Sequence, residues 1–275
     1  MREPKRGPNK AASNGSLNES SSGPAVVRFD RLDTLRGLAI VWMVVFHFCF
    51  DLNHLGFWEP RQNFYADPFW TGQRTAIVSL FLFCVGLSQS VALQGGSAAS
   101  GGALAARGIW FGPRFWRRWL QIAGCAMLVS AGSALMFPKS WISFGVLHAI
   151  AVMLILLRLA APLRGALWPL GLVCLLLPAW VADPFFDTRW TNWVGLVTRK
   201  PITEDFVPLL PWLGVALWGL AAGHWLMAWQ PGVLAGAVPA AMRPLAVLGR
   251  WSLSFYMVHQ PVLIGVLMAV ATMRS

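Results

Sequence analysis

Three ionisable side chains interrupt the first apolar stretch of the chain, residues 31–52 (RLDTLRGLAIVWMVVFHFCFDL), at helical spacing. They are Arg36, His47 and Asp51. At about 100° per residue they share one narrow face of a helix with His54. His47 and Asp51 are i,i+4 neighbours, so we expect the carboxylate to orient the imidazole, as a general base requires. An ionisable group within a membrane costs at least ~2.5 kcal/mol, which favours a functional role over a structural polar network.

Composition decides what kind of element carries these side chains. Hydrophobic residues make up 56% of the 275 residues and charged residues 12%, whereas a soluble domain carries about 25% charge. The sequence therefore predicts an all-α, polytopic transmembrane helix bundle whose natural partner is membrane lipid. The 22 Lys and Arg residues outnumber the 11 Asp and Glu residues but form no single basic patch, so we expect no nucleic-acid partner.

Seven stretches are long and apolar enough to cross a bilayer core, which takes about 20 residues per helix. The predicted spans are 35–53, 72–94, 118–137, 141–159, 165–182, 208–228 and 250–271. The segment 233–249 is apolar but short and contains two prolines, so a re-entrant or interfacial piece is favoured over an eighth span.

The distribution of charge predicts the orientation in the membrane. Most Lys and Arg residues lie in the N-terminal segment and in the connections on the same side of the bilayer, which places the N-terminus in the cytoplasm. Residues 1–28 are polar and basic and read as a disordered tail, and residues 29–275 form one transmembrane domain. We expect a multi-pass protein of the cytoplasmic membrane, the inner membrane of the cell.

Further polar side chains lie in the later spans. His148 stands in the otherwise apolar fourth span, where it could contact substrate or only pack. Tyr256 and His259 share one face of the seventh span, with Gln260 at its edge. Pro261 should kink that helix, and polar residues at a broken helix commonly line a cavity.

The longest outer connection, residues 183–205, mixes aromatic and polar side chains. Trp190 and Asp205 are its candidate substrate contacts, because aromatic planes beside hydrogen-bonding groups suit a carbohydrate. The alternative is an aromatic belt at the membrane interface, which Trp residues also form.

Five blocks of the sequence resemble the bacterial relatives of heparan-alpha-glucosaminide N-acetyltransferase. They are the first-span stretch above, FLFCVGLS (81–88), ISFGVLHAIAV (142–152), FVPLLPWLGVALWGLAAG (206–223) and LGRWSLSFYMVHQPVL (248–263). They recur in order from about residue 28 to residue 266. The resemblance implies that residues 29–275 are an acyltransferase-like domain.

The spacing Arg36-x10-His47 is also similar to the first-helix motif of integral-membrane acyltransferases that modify envelope polysaccharides. By that resemblance His47 is the catalytic group and Arg36 supports it. The likeness further implies acetyl-CoA or another acyl-CoA as the donor substrate, bound from the cytoplasm, and no metal. The acceptor would be an amino sugar or glycan hydroxyl of the cell envelope, and a homodimer is left open.

The sequence differs in two ways from the lysosomal enzyme, heparan-alpha-glucosaminide N-acetyltransferase itself. That enzyme carries its active-site His after the first helix and just before a Trp, whereas the segment here, NFYADPFWTG at residues 63–72, has no His before Trp70. The chain is also shorter, with fewer spans. Either His47 has taken over the role or the chemistry differs.

Several functions fit these residues. In an acyltransferase, His47 would deprotonate the acceptor or accept the acyl group itself, and His259 and Tyr256 would stabilise the oxyanion or relay the proton. In a proton-coupled carrier or flippase, His47, Asp51, His148 and His259 would form a proton relay. In a membrane cytochrome, the histidines would be axial haem ligands.

Overall fold

A computed structural model describes residues 29–98, 111–234 and 236–274. The predicted tail 1–28 therefore lies outside the described residues. Within the described part the regular structure is helical, with short 3₁₀ turns and no strand. The helices are α1 Asp30–His54, α2 Pro68–Ala98, α3 Pro113–Met136, α4 Val146–Ala160, α5 Leu167–Trp180, α6 Leu209–Trp229, α7 Arg243–Arg250 and α8 Ser252–Arg274.

The predicted helix bundle is confirmed, and all the long helices are apolar enough to cross a membrane. Six stretches of the described chain meet that criterion, and one of them, Val146–Trp180, is 35 residues long. It holds both α4 and α5, which are separated by a 3₁₀ turn over Ala161–Ala166 where Arg164 has a φ of 43°. The seven predicted spans thus correspond to α1–α6 and α8. The first predicted span, 35–53, lies within α1, which begins at Asp30.

Contacts between helices give their relative directions. α6 runs parallel to α2, since Gly219 lies against Phe83 and Gly223 against Ser90. α5 runs antiparallel to α6, because Gly171 faces Gly214. The start of α4 is hydrogen-bonded to Asp205, just before α6 begins, so α4 and α6 start on the same side of the bundle. Because α5 runs in the opposite direction to α6, α4 and α5 form a hairpin. We call the side where α1 begins the inner face and the opposite side the outer face, following the orientation predicted from charge.

Glycines set the closest helix contacts, as expected for membrane helices. A Cβ on Gly219 would collide with the backbone of Phe83, and one on Gly86 would collide with the carbonyl of Ala216. These two residues therefore let α2 and α6 approach to backbone contact along their length.

The segment predicted to be re-entrant or interfacial is a short helix packed on the inner end of α1. The eight residues of α7 are too few to cross a bilayer. Gly249 lies against the carbonyl of Asp33 and Gly37 against that of Leu245, so α1 and α7 touch through their backbones.

α1 has one exposed side and one packed side. Leu38, Val41 and Val45 are exposed on the surface that hydrocarbon would cover, whereas Ile40 and Met43 are buried. The polar face is therefore turned into the protein, where α8 lies alongside α1.

Candidate functional site

The two histidines of α1 and α8 meet in a direct hydrogen bond. His47 Nδ1 lies 3.1 Å from His259 Nε2. The other ring nitrogen of His259, Nδ1, faces two backbone carbonyls, those of Tyr256 at 2.8 Å and Phe255 at 3.2 Å. The sequence predicted both residues as site residues, and the structure brings them together.

The surrounding acceptors fix the protonation pattern of this pair. Because a carbonyl oxygen only accepts, Nδ1 of His259 carries its proton, and the Nε2 of neutral His259 is an acceptor. His47 Nδ1 must then donate, so its proton also sits on Nδ1. Nε2 of His47 is left with a free lone pair, as a general base or a nucleophile needs.

Asp51 has a different partner from the one predicted. Its two carboxylate oxygens accept from Gln260 Nε2 at 3.0 and 3.2 Å, while His47 pairs with His259. The prediction that Asp51 orients His47 within α1 is therefore wrong, because a residue on α8 supplies that contact. Asp51 is only 4% exposed, and it fixes the orientation of the Gln260 amide.

Gln260 is a site residue that the sequence placed only at the edge of the face. With Nε2 held by Asp51, its Oε1 is buried and has no hydrogen-bond partner among the described residues. A buried acceptor without a partner is energetically unfavourable, so this oxygen is suited to accept from a bound molecule. The sequence feature that could have indicated a site role for Gln260 is that it directly follows His259.

The segment without the expected histidine packs beside the same turn of α1. The ring of Phe64 stacks on Trp70 with centroids 4.0 Å apart, and both rings contact Phe46, which precedes His47. The segment in which the resemblance led us to look for a histidine thus packs beside His47.

Arg36 lies at the inner end of the polar face. It forms an ion pair with Asp33 at 2.7 Å and donates to Ser88 Oγ of α2 at 2.8 Å. Eleven residues separate it from His47, which is about 16 Å along a helix. Arg36 therefore cannot contact the same reacting atoms as His47.

Two further arginines lie on the inner side of the bundle. The charge of Arg36 acts on Arg118, and Arg158 donates to Gln89 Oε1 of α2 while its guanidinium lies 4.2 Å from the Phe115 ring centroid. Together with Arg36 they form what we call the inner arginine cluster. Guanidinium groups suit phosphate recognition.

His148 caps the start of α4. Its Nδ1 accepts from the backbone N–H of Gly145 at 3.3 Å, which leaves Nε2 to donate to Ser130 Oγ at 3.2 Å. Both ring nitrogens thus have partners within the protein. The structure gives His148 a structural contact, and its substrate-binding role stays a prediction.

Asp205 closes the same corner by accepting from Val146 N at 2.8 Å. Burial raises the pKa of this carboxyl above its usual range, although the Val146 N–H and the charges of Arg74 and Lys200 act against the rise. Because the pKa is higher in the folded than in the unfolded state, ionisation of Asp205 destabilises the fold as the pH increases.

Asp205→Asn is therefore expected to lessen the loss of stability as the pH rises from about 4, the usual range of an Asp carboxyl, through the neutral range. The amide oxygen can still accept from Val146 N, while the buried charge is removed. The measurement is the thermal midpoint of the detergent-purified protein across this range.

Asp187→Asn is the matched control with the opposite sign, because hydrogen bonds from Thr198 lower the pKa of that exposed carboxyl. If the Asp205 variant follows the wild-type pH curve, the burial effect is absent.

Trp190 lies at the rim of an outer cavity of about 730 Å³ and is 88% exposed. Trp141, Phe144 and Trp193 form aromatic walls of the cavity. The Arg189 guanidinium lies 5.0 Å from the Trp141 ring centroid. The structure thus brings aromatic planes and a cation together in the loop for which a carbohydrate contact was predicted.

Tyr256 lies between these regions. Its ring centroid is 5.8 Å from that of His259, and the charge of Asp205 acts on its hydroxyl. The structure therefore places Tyr256 beside the histidine pair, whereas His148, Asp205 and Trp190 belong to the outer corner.

The histidine geometry does not suit a haem. Axial ligands bind on opposite sides of the iron, whereas His47 and His259 hydrogen-bond each other through their facing nitrogens, and His148 is occupied as a helix cap.

One family model matches most of the chain. It is described as heparan-alpha-glucosaminide N-acetyltransferase, catalytic, and it covers residues 28–261. No curated protein and no solved structure gave a significant match. The matched range contains α1, the inner arginine cluster and the histidine pair.

Proposed function

Since the chain belongs to the heparan-alpha-glucosaminide N-acetyltransferase catalytic-domain family, a membrane acetyltransferase-type family, we propose that it transfers an acetyl or other acyl group from acyl-CoA. The acceptor is an amino sugar or a glycan hydroxyl of the cell envelope, and the site of action is the cytoplasmic membrane. The observation that carries this proposal is the hydrogen bond between His47 Nδ1 and His259 Nε2, which leaves Nε2 of His47 as the nitrogen that can accept a proton.

In the proposed reaction His47 is the catalytic base. Its Nε2 takes the proton of the acceptor N–H or O–H while the nitrogen or oxygen attacks the thioester carbonyl carbon. The C–S bond then breaks, and the CoA thiolate leaves and takes the proton from the imidazolium. His259 is a positioning residue, because it keeps the His47 proton on Nδ1 and accepts from the imidazolium that forms.

The inner arginine cluster is the proposed site for the phosphates of the donor. Guanidinium groups bind phosphates through bidentate hydrogen bonds. Arg36 and Arg158 contact the adjacent residues Ser88 and Gln89 of α2, and the charge of Arg36 acts on Arg118. The roughly 16 Å between Arg36 and His47 then has to be crossed by the extended arm that links the CoA phosphates to the thioester.

Gln260 and Asp51 assist the acceptor in this scheme. The unpartnered Oε1 of Gln260 would accept a hydrogen bond from the acceptor, and Asp51 acts through Gln260 by fixing its amide.

Asp51→Asn is expected to lower kcat/KM about 10-fold, because the amide of Gln260 loses a charge-assisted bond that sets its orientation. Steady-state kinetics of the variant check this. A loss as large as that of His47→Gln would instead make Asp51 part of the base.

Donor binding can be tested without knowing the acceptor. Acetyl-CoA at 100 times its dissociation constant should stabilise the purified protein by about 2.7 kcal/mol. The measurement is the thermal midpoint in detergent with acetyl-CoA, with CoA and with a plain nucleotide. Arg36→Gln should reduce the shift, and Lys139→Gln, a neutralisation of an exposed residue on the outer face, should not.

The proton-coupled carrier or flippase is the second candidate, because the half-buried His47–His259 contact joins two helices and could pass a proton. It predicts transport into vesicles without any acyl-CoA. No stabilisation by millimolar acetyl-CoA, together with such transport, would favour the carrier over the transferase.

A further inference from the structure

A polar cavity lies just beyond the outer end of α1, separate from the aromatic cavity around Trp141. Its volume is about 330 Å³, and α1 and the following loop both contribute to its walls. We call it the α1-end cavity, defined by Asn53, His54, Arg61, Gln62, Phe64 and Tyr65. None of these residues was among the predicted site residues.

The walls of the α1-end cavity are held by local hydrogen bonds. Asn53 Nδ2 donates to the carbonyl of Gln62 at 3.0 Å, and Asn53 Oδ1 accepts from Gln62 N at 2.6 Å. Asn63 Oδ1 accepts from the backbone N–H groups of Tyr65 and Ala66. The loop is thus tied back to α1, and the asparagine side chains are used for its structure.

Two nitrogen-bearing groups of the cavity are left unused. Among the residues that the structure describes, no hydrogen bond or ion pair engages the Arg61 guanidinium or the His54 imidazole. The His54 ring is instead stacked on Phe50, with centroids 6.1 Å apart and an interplanar angle of 9°. The guanidinium and the imidazole therefore remain available as donors to a molecule in the cavity.

The charges around the cavity favour an anion. In the described part of the chain its walls contain no carboxylate. Glu59 belongs to the same loop but does not line the cavity. The charge of His54 acts on Asp51, and the charge of Glu204 acts on the Tyr65 hydroxyl, where the charge of Arg74 opposes it. Asp51 is buried and already accepts from Gln260.

The cavity is also correctly placed to hold part of an acceptor. His54 follows His47 by seven residues, which is about 10 Å along α1 toward the outer face. A molecule anchored at His54 and Arg61 would therefore extend inward along the polar face to the His47 base.

We propose that the α1-end cavity binds an anionic group, a carboxylate or a phosphate, carried by the acceptor. Arg61 holds the anion through charge-assisted hydrogen bonds, and His54 donates a further one. This inference rests on the proposed function, since it assigns the acceptor an acidic substituent near the group that is acylated.

Direct binding of small anionic sugars tests the proposal. Isothermal titration of the full detergent-purified chain with glucuronate, glucose 1-phosphate and uncharged glucose is the measurement. At least one of the two anions should bind more tightly than glucose, and added salt should weaken that binding. Arg61→Gln should weaken it roughly 10–100-fold, and His54→Gln should weaken it less. Lys139→Gln removes one charge from the same face and should change nothing.

The outcomes separate this inference from the proposed function. Equal affinity for anions and glucose, or equal losses in the Arg61 and Lys139 variants, would overturn the cavity assignment even if acetyl-CoA stabilises the protein. Anion binding that depends on Arg61, without any stabilisation by acetyl-CoA, would support the cavity and count against the transferase. The tighter of the two anions identifies the acidic group as carboxylate or phosphate.

Discussion

His47→Gln is expected to lower the rate of acyl transfer by roughly 10²–10⁴-fold, the usual contribution of a positioned general base. The Gln side chain can preserve a hydrogen bond to His259 but has no basic nitrogen, so the fold should be retained while proton abstraction is lost. Acetyl-CoA should still stabilise the variant, because the inner arginine cluster is unchanged. Single-turnover transfer to a saturating acceptor is the measurement that isolates the chemical step.

The same hydrogen bond gives a sharper test through His259. His259→Gln keeps an acceptor near the position of Nε2, so His47 Nδ1 can still donate and part of the activity should survive. His259→Leu removes that acceptor and frees His47 to protonate either nitrogen, which should lower kcat with little change in KM. A wrong tautomer of a catalytic His can cost about 10⁴-fold in the serine protease triad.

Two results would contradict this account of the histidine pair. If His47→Gln leaves transfer within a few-fold of wild type, His47 is not the base. If both His259 variants lose the same activity, the acceptor at that position is irrelevant and His259 has another role, such as packing. Equal thermal midpoints of the His259 variants are the control that separates chemistry from folding.

The sequence identified the participants of the site better than their pairing. His47, Asp51 and Arg36 stand out because ionisable residues are rare within apolar spans, and a helical period places them on one face. An i,i+4 contact is the one partner that a single helix can reveal, so Asp51 was assigned to His47. The actual contacts, His47 with His259 and Asp51 with Gln260, join residues more than 200 positions apart.

The α4–α5 region shows how far hydropathy alone can predict the fold. The stretch Val146–Trp180 is apolar for 35 residues, and the sequence separated it correctly into two spans at the Arg158 to Arg164 region. It could not show that Val146 N donates to Asp205, because this partner comes from a distant loop. Hydropathy reports burial in lipid, while caps depend on tertiary contacts.

The α1-end cavity was missed for a related reason. The sequence placed His54 on the polar face of α1, but nothing in the spacing links His54 to Arg61 and Gln62. They form one wall only because Asn53 ties residue 62 of the loop back to α1.

Gly219→Ala is expected to destabilise the fold strongly, because its Cβ would meet the Phe83 carbonyl on α2. The obstacle is backbone and cannot rotate away, so α2 and α6 must separate. Overpacking in a core typically costs about 1–3 kcal/mol and occasionally more. The shift should also disturb Ser88, which accepts from Arg36, so stabilisation by acetyl-CoA should weaken as well.

Gly265→Ala is the matched control, since it makes the same substitution within α8, where nothing lies within 4 Å of the added Cβ. It should be neutral or slightly stabilising, as Ala is favoured over Gly in a helix by about 1 kcal/mol. Thermal midpoints of both variants with and without acetyl-CoA are the measurement. If Gly219→Ala matches Gly265→Ala, then α2 and α6 are not in backbone contact. The positioning of Ser88 for Arg36 would then need another explanation.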